Sequence, residues 1–380
     1  MKKSLLGASA LVGAASFAAA PAMAEAPEIS FSGALAYEMV IHDGDVDAGG
    51  TGINITGNEQ QSELVWEATG TADNGLEYGA NAQWRWQRNS AGADRSGGDF
   101  DESWIDFSGS FGRVYLGAED GVSDLVAGTS GHSVQVGTWG TDGNNALRHA
   151  NTAGAANATL HYYQSHAGMT GDANKIGYVT PSFSGFQAGI SFMPDGTSQQ
   201  QGPANNGAAQ NVFDFAAGYS GTFGDVSVAI DGSYGIGEDN TAIANAANEI
   251  GSEDIAAYMI GGMVGFAGFN VAAAYLDNDD SGCADNAPNC DAGDGWNIGA
   301  GYSFGSVGVS AMYQEAENDP DGNGFNDESE IFHAGVNFTI AEGLSAHANY
   351  YAMSFDNEAG SAAATNNDAD VLILGSRITF

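Results

Sequence analysis

The sequence predicts an all-β fold: a 16-stranded antiparallel transmembrane β-barrel with short periplasmic turns and long extracellular loops. Three observations carry that expectation. Apolar and polar residues alternate with period two along almost the whole chain, as they do in strands with one face buried. The connections between these segments are alternately tight and long. An export leader opens the chain, and no later segment approaches the run of about 18 apolar residues that a membrane helix needs.

The leader is residues 1–24, "MKKSLLGASALVGAASFAAAPAMA". Two lysines, an apolar run from Leu5 to Ala20 and the small-residue site Ala22-Met23-Ala24 are the parts of a secretory signal peptide, cleaved before Glu25. Residues 25–380 then form a single barrel domain. The chain has 9 Lys and Arg against 48 Asp and Glu, a formal net charge of −39 at pH 7. That balance argues against a nucleic-acid partner, because phosphate recognition needs clustered cations. After the leader, Lys175 is the only lysine.

The strands follow in order. In "ISFSGALAYEMVI", Ile29, Phe31, Leu35, Tyr37, Met39 and Ile41 share one face, with Ser30, Ser32 and Glu38 on the other. "GLEYGANAQWRWQ" sets Tyr78, Ala80, Ala82, Trp84 and Trp86 against Glu77, Asn81, Gln83, Arg85 and Gln87. "VSVAIDGSYGI" opposes Val228, Ile230 and Tyr234 to Ser227, Asp231 and Ser233, and "LSAHANYYAM" repeats the pattern. The tight connections are "TADNG", "SGSFG", "PSFSG", "SGTFG", "FAG", "SFGS" and "TIAEG". The long ones lie near 42–60, 88–98, 120–173, 194–210, 237–252, 277–294, 316–328 and 355–369. Seven turns and eight loops join 16 strands and leave both chain ends on the turn side.

Short turns at one rim and long loops at the other are the layout of an outer-membrane barrel, whose closure leaves no strand edge. Trp84, Trp86, Tyr219, Tyr275, Tyr302 and Tyr313 stand at strand ends, where interfacial girdles lie. A soluble β-sandwich would also alternate, but it gives no reason for one connection in two to be tight. The chain ends on "DVLILGSRITF", an alternating strand with a terminal aromatic. This resembles the C-terminal strand of bacterial outer-membrane proteins. "ADNGLEYGA", "SGSFGRVYLGAEDG" and "NKIGYVTPSFSGFQAGISFMPD" are similar to segments of the general porins of alphaproteobacteria. The resemblance implies a homotrimer of 16-stranded barrels in the outer membrane of a Gram-negative bacterium. It also implies that the third long loop, 120–173, folds inward to narrow the pore.

Alternation points Arg85, Arg113 and Arg377 into the lumen, together with Glu63, Glu67, Glu102 and Asp106. The long loop carries Glu119, Asp120 and Asp124 at its start and Asp142 and Arg148 further on. Facing rows of guanidinium and carboxylate would set a transverse field that favours hydrated polar solutes. These eight residues, Arg85, Arg113, Arg148, Arg377, Glu119, Asp120, Asp124 and Asp142, are the expected constriction; the alternative is that they are solvated lumen residues. His333 and His347 read as spectators.

"DPDGNGFNDESE" matches the twelve-residue EF-hand calcium loop, with Asp319, Asp321, Asn323, Asp327 and Glu330 at ligand positions. Its flanks alternate as strands do, so a helix–loop–helix is not expected. A structural calcium in the loop and a merely solvated acidic loop both remain open. Cys283 and Cys290 share one polar loop of an exported chain and are expected to form a local disulfide. "GYSFG" matches G-x-S-x-G but runs into a strand–strand turn, where no nucleophile elbow forms, and no catalytic function is expected. The expected function is passive diffusion of ions and small hydrophilic solutes through a water-filled, cation-preferring channel. A substrate-selective channel with Trp104 and Tyr115 in an aromatic track, and a secreted calcium-stabilised β adhesin, are the alternatives.

Overall fold

Alternating residues part to the two sides of one continuous antiparallel sheet. The computed structural model describes residues 27–44, 52–57, 62–85, 99–137, 171–196, 209–239, 253–283, 287, 289–319, 326–356 and 367–380. The first strands are β1 (Glu28–Gly44), β2 (Gly52–Gly57), β3 (Glu63–Thr71), β4 (Glu77–Arg85), β5 (Asp99–Gly109) and β6 (Gly112–Ala118). After β6 come a short helix α1 (Val122–Val126) and a 3₁₀ turn, Gly131–Val134. Then follow β7 (Asn174–Val179), β8 (Phe186–Asp195), β9 (Ala209–Phe223), β10 (Val226–Asp239), β11 (Ile255–Phe266) and β12 (Phe269–Asp277). The last are β13 (Asp291–Phe304), β14 (Val307–Asp319), β15 (Asp327–Ala341), β16 (Leu344–Asp356) and β17 (Asn367–Thr379).

Apart from β2 and β3, each strand pairs antiparallel with the next, and β1 closes the ring on β17, with Leu35 opposite Ile378. The 17 segments make 16 staves, because β2 and β3 are two parts of one. The upper half of β1 pairs with β2 and the lower half with β3. At the interruption the Ser62 hydroxyl accepts from the Ala36 N–H at 3.1 Å and donates to the Ala36 carbonyl at 3.3 Å. The side chain replaces the missing ladder bonds, as burial demands.

Closure explains the faces. Many outward residues are large, apolar and exposed, as at Phe31 (65 % exposed) and Phe186 (61 %). Lipid is the medium that such a face requires, and a closed ring leaves no backbone edge unsatisfied within it. Outward aromatics pair near both rims: Phe186 with Tyr219 (4.6 Å) and Phe269 with Tyr302 (4.0 Å) by the turns, Trp296 with Tyr313 (5.5 Å) by the loops. Each of the seven tight turns carries a glycine at positive φ, for example Gly75 at 81° and Gly343 at 73°, a conformation that costs other residues dearly.

Two loop expectations need correction. The stretch 42–60 contains β2, which pairs with β1. The stretch 316–328 is strand at both its ends: β14 runs to Asp319 and β15 starts at Asp327, with Glu317 opposite Glu328. Polar residues read as loop there, yet an outward strand above the membrane can be acidic. The signal peptide, Trp86, Asp142, Arg148, Asp321 and Asn323 lie outside the described residues.

Candidate functional site

The inner wall is where the chemistry gathers. Registers carry Arg85 inward opposite Glu63, Arg113 inward opposite Ser108, and Arg377 inward opposite Ala36. Arg85 Nη1 lies 2.7 Å from Asp101, and its Nε lies 3.9 Å from Glu63. Arg113 donates to both oxygens of Glu119, at 3.1 and 3.4 Å, and lies 3.8 Å from Asp106. Its guanidinium also sits over the rings of Tyr115 (5.2 Å) and Trp104 (5.9 Å). The ion pairs therefore run along the wall, stave to stave, and only Glu119 is shared with the start of the long loop.

That loop turns into the barrel. Its described first part, 119–137, crosses the inner wall from β7 to β16, and most of the staves it passes offer a polar side chain or a glycine. Asp214 of β9 accepts from the N–H and the hydroxyl of Ser123, both at 2.9 Å. Asp231 of β10 accepts from the N–H of Gly128 (3.1 Å) and of Thr129 (3.2 Å), and from the Thr129 hydroxyl. Asn297 of β13 accepts from the Gly131 N–H at 2.5 Å, and Ser310 of β14 from the Val136 N–H at 3.0 Å. Between these anchors, Gly261, Gly299 and Gly335 have no side chain where the carbonyls of Thr129, Gly131 and Val136 press on the wall. His132 is buried and bonds Gln314 at 2.8 Å; burial pushes its imidazole below the usual range.

None of these anchors is evident in the sequence as a site. The signal was there in another form: glycines and short polar residues recur at inward parity, which implies that something lies against them. Tyr115 is fully buried and donates to the Asp120 carbonyl at 2.9 Å, so it lines no aromatic track. His333 bonds Asn349 at 3.0 Å and His347 lies 3.3 Å from Glu38, all buried in the wall.

Acids crowd the root of the loop. Carboxylate oxygens of Asp101, Glu102 and Asp172 lie within 4.8 Å of one another. Asp120, in the loop just after β6, is pushed up to about 6, chiefly by burial and then by Asp124, with Lys175 acting the other way. Asp124 opens α1.

The calcium pattern does not form one site among the described residues. Asp327 and Glu330 are three apart in strand β15 and so face opposite sides; Glu330 stands outward opposite Glu315, beside Tyr313. Asp319 is buried at the end of β14. The strand, not a loop, sets these positions. Cys283 and Cys290 are joined by a disulfide.

The sequence matches the family described as Gram-negative porin over residues 7–358. The chain belongs to that family. This porin is similar in fold to the anion-selective porin from Comamonas acidovorans, with 16 % identity, a TM-score of 0.64, and coverage of 93 % of this chain and 100 % of that one. OmpT of Vibrio cholerae in its trimer form gives 15 % identity and a TM-score of 0.60 over 94 % and 100 %. A mutant of the Rh. blastica porin gives 18 % and 0.59 over 93 % and 100 %. No curated protein sequence matches the chain. The porin is thus a multi-pass β-barrel of the outer membrane, and its inner wall is the wall of a channel.

Proposed function

We propose that this porin is a cation-preferring diffusion channel for ions and small hydrophilic solutes, narrowed by the inward-folded loop 120–173. The observation that carries the preference is the charge of the wall. The described inward cations are Arg85, Arg113, Lys175 and Arg377. Of these, Arg85 and Arg113 are engaged by carboxylates on the same wall, which leaves carboxylates such as Glu67 and Glu77 in excess. A lumen of net negative charge concentrates cations at its mouth and narrow section. The relative from Comamonas acidovorans is described as anion-selective. At 16 % identity it shares the fold, and selectivity belongs to side chains that the fold does not dictate.

Assembly as a homotrimer, export with cleavage before Glu25, and passage of solutes without chemical change complete the proposal. The trimer form of a solved neighbour supports the first. The aromatic-track reading is weakened by the burial of Tyr115, which leaves Trp104 alone. The described ends of the 319–330 stretch do not converge on one site, so the proposal includes no structural calcium there.

The test is the reversal potential of the purified protein in a planar bilayer under a potassium chloride gradient. Cation preference is expected, and it should strengthen in the R85Q/R113Q double variant, which removes two positive charges from the wall. The change should be larger in dilute salt, where the Debye length grows from about 10 Å at 0.1 M to about 30 Å at 0.01 M. Anion preference in the parent, or a double variant with an unchanged reversal potential, would overturn the charge argument.

A further inference from the structure

Lys175 is the only lysine after the leader, and it does not face the open lumen. It lies in β7 opposite Gly117, with inward parity, and is 5 % exposed. Its ammonium donates to two backbone carbonyls, those of Glu119 and, at 2.8 Å, Gly171. These carbonyls bracket the long loop: Glu119 is where the chain leaves β6, and Gly171 is where it returns toward β7. The same ammonium is within electrostatic reach of Asp120, Asp172, Glu102 and Glu119. Asp172 and Glu102, with Asp101, form a group whose carboxylate oxygens all lie within 4.8 Å of one another.

We propose that Lys175 is the fixed counter-ion of the loop's neck: it pins departure to return and keeps divalent cations out of the carboxylate group beside it. The proposal rests on the reading of loop 120–173 as the constriction. An ammonium offers three donors and one positive charge. Here two donors hold carbonyls, while the charge offsets acids that burial would otherwise make costly to gather. Arg85 cannot take over the task, since Asp101 and Glu63 already hold it.

Without the lysine, the neck would present two bared carbonyls and several carboxylates around one vacancy. Calcium takes six to eight oxygens at about 2.3–2.6 Å and accepts this mixture of carbonyl and carboxylate readily. The lysine therefore does the work that an ion does elsewhere, without depending on the calcium around the cell. Loss of its charge should convert a calcium-indifferent pore into a calcium-dependent one.

The experiment compares the parent with K175M and K175R as full-length proteins purified from the outer membrane. Each is recorded in potassium chloride with chelator and then with added calcium, and each is melted under both conditions. The parent and K175R should keep one conductance and one melting temperature throughout. K175M with chelator should show unsteady conductance and a lower melting temperature. Calcium should restore both, with half-effect at about 10⁻⁴–10⁻³ M, the range of modest oxygen sites. If K175M fails to assemble without calcium, assembly is scored with calcium present: rescue supports the proposal and no rescue overturns it. A K175M protein that matches the parent with and without calcium overturns it too, as does a parent equally sensitive to calcium. A parent that melts as an oligomer but carries no current would count against the channel reading alone, because the melting comparison still tests the lysine.

Discussion

The Asp231 carboxylate is the strongest single attachment of the loop to the wall, and its removal should make the channel unsteady. It receives the N–H groups of Gly128 and Thr129 and the Thr129 hydroxyl, and it is 9 % exposed. A hydrogen bond to a charged group contributes about 1.5–3 kcal/mol, and three bonds to one carboxylate do not add in full. Taking about 3 kcal/mol for the whole attachment in D231A, at a tenfold change per 1.4 kcal/mol, the ratio of docked to released turn falls roughly a hundredfold. D231N keeps an acceptor oxygen without the charge and should fall between, since a neutral bond contributes about 0.5–1.5 kcal/mol. Single-channel recording reads the difference as excursions away from the main conductance level, on the microsecond-to-second scale of loop release. G261A approaches the same turn by another route, because a methyl group there would collide with the Thr129 carbonyl. The reasoning fails if D231A and G261A both record as quietly as the parent, with the same conductance and the same melting temperature.

Acidification should weaken cation preference earlier than ordinary carboxylates would allow. Asp120 is pushed up to about 6, so as pH falls through that value it gains a proton and the loop root loses one negative charge. Carboxylates near the usual value of about 4 are still ionised there. The reversal potential should drift toward zero between about pH 7 and pH 5, and D120N should remove that drift; a drift that persists in D120N would assign it to another group. At the far rim, parent and D319N/D321N/E330Q proteins should show the same melting response to calcium and chelator, because β15 carries Asp327 and Glu330 to opposite faces. A calcium-dependent rise present in the parent and absent from the variant would show that the stretch binds the ion after all.

Much of the barrel was legible because strand alternation is a rigid rule: a residue faces in or out by parity, and lipid on one side fixes which. That is why alternation alone puts Arg85, Arg113, Arg377, Glu102 and Asp106 on the inner wall. The same rule hid the partner of Arg85. Asp101 has the parity of outward Ser103 and Ile105, but a bulge between Gln83 and Trp84 leaves it unpaired in the ladder and brings its carboxylate in to the guanidinium. A one-residue irregularity of this kind leaves little trace in composition. Strand ends were obscured for a different reason. Glu315 and Glu317 are acids above the membrane, so composition reads them as loop, while the ladder to β15 continues through them. The anchors Asp214 and Asp231 belong to a third case: they are made meaningful only by a segment more than 90 residues away, which sequence cannot fold against them.

Selectivity in such a barrel depends on which inward charges remain uncommitted, and that is a question of pairing more than of counting. Among the described residues all four cations face inward: Asp101 holds Arg85, Glu119 holds Arg113, loop carbonyls hold Lys175, and Glu63 is within electrostatic reach of Arg377. Two lumen acids are likewise spent, Asp214 and Asp231 on the loop backbone. What a passing ion meets is the remainder. Neutralising a committed charge therefore acts twice, once by removing it and once by releasing its partner: R85Q frees a buried carboxylate at Asp101 as well as deleting a cation. The two effects have the same sign for the arginines, toward cations. For Asp231 they differ, because its loss removes a negative charge that the pore scarcely feels and frees a loop that the pore feels strongly. D231A should therefore change the steadiness of the current far more than its reversal potential, whereas R85Q/R113Q should do the reverse. Finding both variants altered in the same observable would mean that charge and loop position are not separable in this channel.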